Sequence, residues 1–512
     1  MKVLLSFGQA FVVELALSRS FLFLLNTHMN PSRSLVGVLS VFMIVVAFCR
    51  SARADDDVLL QGFYWDAPQG WYKTLKDQVP DLQKAGFTAV WLPPPSKGKS
   101  GASSNGYDVY DHYDVGEFDQ KGTIATRWGT KQDLIELIQT LHSAGMKAIA
   151  DIVMNQMSGA DAQEKNSIDG KMNWSKFDYG HSAPDGAPDW STVESRLRRA
   201  VPHGLKEPYL FKKTAADFHP TNEHPDFNAP QHNPEFGPDL CQQHDWINVG
   251  LKLWGDWLIN SLGYDGFRID FAKGLDEGYV NEWVHDGAKN GKFAVMEVWD
   301  SLDTIDRYVH QTGAHAFDFP LFYVLSDMCN DAGGGFDMRK LDGAGFAAKD
   351  PRHAVTFVEN HDTDRGGQRI VTDKMMAYAF TLALEVYPSV FYKDYVNYGL
   401  KPRIDPLIAI HKRLAGGGLS TLYADRHLFI AQRAGEGSRP GLVLVLNNDP
   451  QQWESAWISA KSSWSGRNLR DYAGKAPNRH VAGDGRVELS APPRGYAVYS
   501  LDGADIPPAR AD

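Results

Sequence analysis

Three acidic residues, far apart in the chain, each stand at or just beyond the end of a short apolar run. Asp270 closes GFRID, Glu297 follows Val295 and Met296 in VMEVW, and Asp362 follows TFVENH with His361 beside it. Arg268 and Asp270 are two residues apart and, on a strand, project to the same side. The guanidinium is therefore expected to lower the pKa of Asp270 and keep it an ionised nucleophile. Glu297, crowded by two further acids, is expected to titrate high and carry a proton when needed. Carboxyls in such unlike environments suit cleavage of a glycosidic bond, where one attacks the anomeric carbon and the other protonates the leaving oxygen. A single Asp or Glu is usually a solvated or ion-paired surface residue, but three ending apolar strands of one barrel call for another explanation. A structural Arg268–Asp270 ion pair remains compatible with that chemistry.

The elements that must position these acids recur as a helix, a glycine and a strand. Leu75, Val79 and Leu82 keep helical spacing up to Gly86, and Phe87 to Leu92 follows as a buried strand. Thr130 caps a helix striped by Leu134, Leu137, Ile138 and Leu141, ended by Gly145 before a strand from Ala148 to Met154. Trp246, Leu253, Trp257 and Leu258 stripe a third, ended by Gly263 before Gly266 to Ile269. Further strands are expected at Leu59 to Tyr64, Phe293 to Val298, Ala316 to Phe319, Val355 to Val358 and Ser389 to Tyr392. That makes eight continuously apolar strands alternating with helices, which indicates an α/β fold, a closed parallel (β/α)8 TIM barrel with its site at the carboxyl ends of the strands.

Asp151 to Asp270 spans 119 residues where Asp270 to Glu297 spans 27, so an insertion is expected after strand 3. Residues 156–245, rich in Asp, His, Asn, Pro and Gly, read as an irregular inserted subdomain between barrel parts at 55–155 and 246–417. From 418 to 512 the pattern changes to short alternating strands such as Leu428 to Gln432, Gly441 to Leu446 and Tyr496 to Leu501, a C-terminal antiparallel β-sheet domain.

Residues 1–54 read as a targeting segment. Arg33 precedes the apolar run Leu35 to Cys49, and Ala52-Arg53-Ala54 supplies small residues for cleavage, so the mature chain is expected to start at Asp55 and be secreted; the true first residue is read as Met29. The run of 15 residues is shorter than the roughly 20 of a spanning helix, so no stable membrane anchor is expected. With 52 Lys+Arg against 63 Asp+Glu, a net charge of −11 and no basic runs, a nucleic-acid partner is disfavoured. At 43% hydrophobic and 22% charged, the chain is not intrinsically disordered, and its three cysteines cannot form a disulfide scaffold. The 14 Trp, 20 Tyr and 26 Phe include several at strand ends and in loops, where flat faces suit sugar rings.

The motifs then meet a known pattern. DIVMNQ, GFRIDFAKG, VMEVW and FVENHD resemble, in order, the four motifs of the α-amylase family of retaining glycosidases, and GPDL resembles the short motif late in its inserted subdomain. QGFYWD, VWLPPPSKG, GYDVYDHYDVGEFDQKGT, YPSVFYKDY and PPRGYAVYSL are similar to α-amylases rather than to the family's glucosidases or branching enzymes. The resemblance covers most of the mature chain. It implies Asp270 as nucleophile, Glu297 as general acid/base and Asp362 as transition-state stabiliser, with Arg268 and His361 supporting them at the cleavage subsite. It also implies Tyr107 as a stacking platform and Lys273 as a contact to the reducing-side sugar. The first motif departs from the pattern: Gln156 stands where the family has His, an amide that donates a hydrogen bond but carries no charge.

The resemblance further implies a structural Ca2+ held by Asn155, Asp239 and the carbonyl of Gly274, oxygen donors suited to a hard cation. Asp217 or Asp226 would complete its shell; zinc on His219, His224 and His232 is the competing reading. Trp65, Trp91 and Trp299 are either core or sugar contacts. The implied activity is hydrolysis of α-1,4-glucans by a monomer, with an exo-acting or transglycosylating enzyme on the same scaffold as the rival and a non-catalytic glucan-binding protein as the remote one.

Overall fold

The computed structural model describes residues 57–188, 193, 210–225, 236–365 and 367–507. The targeting segment, Asp226 and His232 lie outside them. Eight parallel strands close a barrel: β1 (Leu59–Gln61), β2 (Ala89–Leu92), β3 (Lys147–Ile152), β4 (Gly266–Ile269), β5 (Phe293–Met296), β6 (His315–Phe317), β7 (Ala354–Phe357) and β8 (Tyr387–Phe391). Each pairs with the next in the chain, and β8 returns to β1 with Leu59 opposite Ser389. Their residues are almost all buried, because one side of the sheet fills the barrel and the other receives the helices.

The helices form where the sequence periodicity places them. α1 (Trp71–Ala85) buries Leu75, Val79 and Leu82 and ends on Gly86 at φ 107°, a left-handed conformation natural to glycine. α2 (Lys131–Ser143) opens on a complete capping box: Thr130 accepts from the Asp133 amide and Asp133 accepts from the Thr130 amide. In α3 (Asp245–Asn260) the inner face is built from Trp246, Leu251, Trp254, Trp257 and Leu258, whereas Leu253 sits at its edge, half-buried.

Strand ends differ from the sequence reading in one consistent way. Chain expected to stay extended to Tyr64, Met154 or Val298 leaves the sheet two or three residues earlier. Phe319, expected to end a strand, is the first residue of α4 (Phe319–Asn330). Asp318 causes this. Its fully buried carboxylate accepts from the Leu321, Phe346 and Ala347 amides at 3.0, 2.9 and 2.7 Å, turning the chain out of β6 and fastening it to the segment before β7.

Beyond β3 the chain forms an antiparallel pair, Ala162–Lys165 with Met172–Lys176, before α3. After the barrel, a six-stranded sheet and a two-stranded sheet (Glu454–Ser459 with Arg486–Ala491) enclose a second core around Trp464, Val445, Leu489 and Tyr499. Arg433, fully buried, joins this unit to the barrel through the Ala383, Leu384 and Gly417 carbonyls. Among the described residues no helix is long and apolar enough to cross a membrane.

Asp318→Ala would leave three buried amides without their acceptor, and we expect it to destabilise the protein by about 2–4 kcal/mol, read as a lowered denaturant midpoint. Thr130→Ala, which removes a cap at the surface end of a helix, is expected to cost about 1 kcal/mol in the same assay.

Candidate active site

The carboxyl ends of β4, β5 and β7 deliver Asp270, Glu297 and Asp362 to one cleft of about 950 Å3, which Tyr107, Gln156, Lys273 and His361 also line. Arg268 lies beneath it with a 2% exposed side chain. Its Nη1 donates to Asp151 Oδ1 at 2.8 Å and to Asp270 Oδ1 at 2.6 Å, and its Nη2 reaches Glu297 Oε2 at 2.8 Å. One guanidinium thus grips three carboxyls from three adjacent strands. Trp91, buried in the barrel, backs it with its ring 5.1 Å away and donates its indole N–H to Asp151 Oδ2. Of the three tryptophans singled out in the sequence, Trp91 is therefore core, while Trp65 and Trp299 line the cleft.

Sharing the arginine changes the electrostatics from those expected. Burial pushes the Asp270 carboxyl up to about 7, with Arg268 opposing and Asp151 and Asp362 adding to the rise. The expected lowering by Arg268 is outweighed, because one positive charge is divided among three acids that have lost their water. Burial likewise raises Glu297 to about 7 and Asp151 to about 6, again against Arg268. Asp362 moves the other way: burial would raise it, but His361, Arg268 and Arg365 hold it below the usual carboxylate range.

His361 is held as a neutral ring, pulled down to about 4 chiefly by burial. Gln61 donates to its Nδ1 at 2.8 Å, which leaves Nε2 as the ring's donor toward the Tyr107 hydroxyl at 2.9 Å. Tyr107 in turn donates to Asp151 Oδ2 at 2.7 Å, and its ring lies parallel to the imidazole with centroids 5.4 Å apart. Gln156 is buried, its amide N–H donating to the Tyr107 carbonyl at 3.1 Å, so this residue steadies the platform from below. Lys273 pairs with Asp300 at 3.2 Å on the far wall.

Asp151, Gln61 and Phe271 belong to the site but were given no role from sequence. Asp151 had a signal: it puts a charge in an otherwise apolar strand. Phe271 did not. It follows Asp270 at φ 41°, strained for a side chain with a Cβ, and this conformation aims its N–H at Glu297 Oε2, 2.9 Å away.

The proposed calcium ligands also converge. Residues 155–157 pair with 238–240 through Leu240 N–H to the Asn155 carbonyl, Met157 N–H to the Pro238 carbonyl and the Gln156–Asp239 bridge. Asn155 and Asp239 side chains meet at 2.9 Å. Gly274 lies so close that a Cβ there would fall 2.3 Å from Asn155 Oδ1, so only glycine leaves that oxygen its space. Two side-chain oxygen donors beside a glycine backbone fit a hard cation. Asp217 is occupied by the Thr214 amide at 2.8 Å and His244 at 3.0 Å. His219 and His224 face each other with centroids 5.5 Å apart, but among the described residues no three His, Cys, Asp or Glu are grouped for a metal, so zinc gains no support.

A carboxyl whose pKa is raised on folding costs stability once pH rises past its unfolded value, and the cost is complete above its folded value. Glu297→Gln and Asp270→Asn should therefore lose activity yet gain about 1–3 kcal/mol of stability at pH 8, with the gain vanishing near pH 4, measured by denaturant unfolding at both pH values.

Comparison with known proteins agrees with this geometry. Residues 47–393 match the family model described as alpha amylase, catalytic domain, and residues 442–500 match alpha-amylase C-terminal. The chain is 32% identical over 489 residues to the alpha-amylase of Bacillus licheniformis, covering 85% of this chain and 92% of that one. It is 30% identical over 532 residues to the glucan 1,4-alpha-maltohexaosidase of Bacillus sp. strain 707, covering 93% and 98%. An Anoxybacillus alpha-amylase crystal structure superposes with a TM-score of 0.64 over 88% of this chain and 98% of that one, at 17% identity, which speaks to the fold. With a matched catalytic model across the barrel and relatives similar over nearly the full length, the chain belongs to the α-amylase family and is a glycoside hydrolase.

Proposed function

We propose that the protein hydrolyses α-1,4-glucosidic bonds of starch- and glycogen-type glucans with retention of configuration. The observation that carries this reading is the grip of one arginine on both Asp270 and Glu297. Two carboxyls on a single guanidinium stand within reach of one glycosidic bond, as double displacement uses them. Asp270 attacks C1 as the bond from C1 to the leaving oxygen breaks, and Glu297 gives that oxygen its proton. Glu297 then takes a proton from water, which attacks C1 and breaks the bond to Asp270, releasing the sugar in its original configuration.

The environment supports these roles. Glu297 Oε2 accepts from Arg268 and the Phe271 amide, so its proton belongs on Oε1. Asp362, the acid held most acidic, supplies fixed negative charge for the oxocarbenium-like transition state. Tyr107, His361 and Gln156 form one wall for the sugar at the cleavage position, and Lys273 with Trp299 stands on the other.

A calcium ion held by Asn155, Asp239 and the Gly274 carbonyl would tie the exits of β3 and β4 to the inserted segment. When bound it contributes charge and bracing rather than chemistry at the scissile bond. Residues 1–54 are proposed to direct export, with the mature chain beginning at Asp55; intact mass of the secreted protein tests this, and a mass that includes residues 1–54 contradicts it.

Asp270→Asn and Glu297→Gln are each expected to lower kcat on amylose by about 10⁴-fold. Parent-like rates from either variant would overturn the mechanism. Time-resolved products decide the mode of attack: mixed lengths from the outset mark internal cleavage, and one short maltooligosaccharide from the outset marks the exo-acting alternative that the maltohexaosidase relative raises. Chelator should lower Tm by roughly 5 °C or more in the parent and leave an Asn155→Ala variant unmoved; an unchanged parent Tm would remove the ion from the account.

A further inference from the structure

We infer that Arg365 is a positioning residue for the reaction, holding the Asp362 carboxylate ionised and aimed into the cleft while its own guanidinium rests on Trp65. The inference rests on the roles proposed above for the acids. Arg365 Nη2 donates to Asp362 Oδ1 at 2.5 Å, and its guanidinium carbon stands 4.2 Å from the centre of the Trp65 ring. Trp65 is fixed edge-on against both Tyr107 and His361, with centroids 5.4 and 5.5 Å away. The planar cation is thus clamped between an aromatic face and the acid it serves, in the wall of the cleft.

Division of labour between the two arginines makes this contact consequential. Arg268 gives its hydrogen bonds to Asp151, Asp270 and Glu297. Its charge reaches Asp362, but Nη1 and Nη2 meet the other three acids. The other neighbour of Asp362 is His361, whose Nε2 lies 3.3 Å from Oδ2; its charge helps hold Asp362 low only where the ring is protonated, and near neutral pH burial holds it neutral. The groups facing Asp362 are therefore His361 and Arg365 from its own turn, Arg268 and Asp270 from β4, Glu297 from β5, and the Tyr107 hydroxyl. Arg365 is the cation that touches it.

The role is directed at the side chain, because the backbone of the turn is secured otherwise. Asn360 Oδ1 accepts from the Asp362 and Thr363 amides, each at 2.8 Å, and Thr363 is held by Glu359 at 3.0 Å. The Arg365 side chain is itself 51% exposed, so removing it leaves the turn its fastenings.

The test compares the parent with Arg365→Ala, Arg365→Lys and Asp362→Asn on amylose, measuring kcat and KM from about pH 4 to pH 9 and Tm for each. Arg365→Ala should lower kcat about tenfold at the pH optimum with KM and Tm unchanged, because the carboxylate is no longer aimed at the sugar, while the acid limb stays where the higher-titrating Asp270 sets it. Arg365→Lys, which keeps the charge but not the planar fork, should recover only part of the lost kcat. An Arg365→Ala profile that superposes on the parent's, with Asp362→Asn inactive, overturns the inference alone. Full activity in Asp362→Asn would instead overturn the proposed roles of the acids on which it rests.

Discussion

The buried guanidinium of Arg268 is the interaction on which the site depends. Four acids, Asp151, Asp270, Glu297 and Asp362, crowd the carboxyl end of the barrel, and Arg268 meets three of them directly. Ionised together in that low-dielectric setting they would repel strongly, and without them the arginine would be an uncompensated buried charge. The net deficit of positive charge lets the cluster retain protons near neutrality, and a protonated carboxyl beside an ionised one is the state that acid-assisted displacement at a sugar carbon needs.

The parallel barrel meets this geometric demand. Asp151, Arg268 and Glu297 come from three neighbouring parallel strands, registered so that Asp151 stands opposite Arg268 and Ile269 opposite Met296. Slipping one strand by a residue would turn a charged side chain into the helix layer. Trp91, Tyr107 and His361 complete the support with rings and a chain of hydrogen bonds that runs from Gln61 to Asp151. The destabilising charge at the mouth is offset by a core that occupies the barrel and its helices.

Much of this was legible in the sequence, because its signals are local. Continuous apolar runs such as Ala89–Leu92, followed by glycine-ended helices, announce a parallel sheet, and an acid ending such a run announces the open end of the barrel. What stayed hidden was relational. GFRID shows Arg268 beside Asp270 but not that Asp151 and Glu297 compete for it, so the direction of the Asp270 shift came out reversed. Phe319 looks like strand because it is apolar; the Asp318 cap that starts a helix there is visible only once the Phe346 amide is seen to share it. Leu253 and Trp254 are adjacent and both apolar, and packing chose the second. Arg365 sits in a polar turn with no pattern to mark it, and its meaning comes from Trp65, 300 residues away in the chain.

The central claim is that Asp270 attacks the anomeric carbon while Glu297 manages the proton, two substitutions at one carbon that restore its configuration. Proton NMR of the first reducing ends released from amylose reads this directly, before mutarotation scrambles them. The account predicts that the α-anomer appears first. The β-anomer appearing first would mean a single displacement by water and would contradict it.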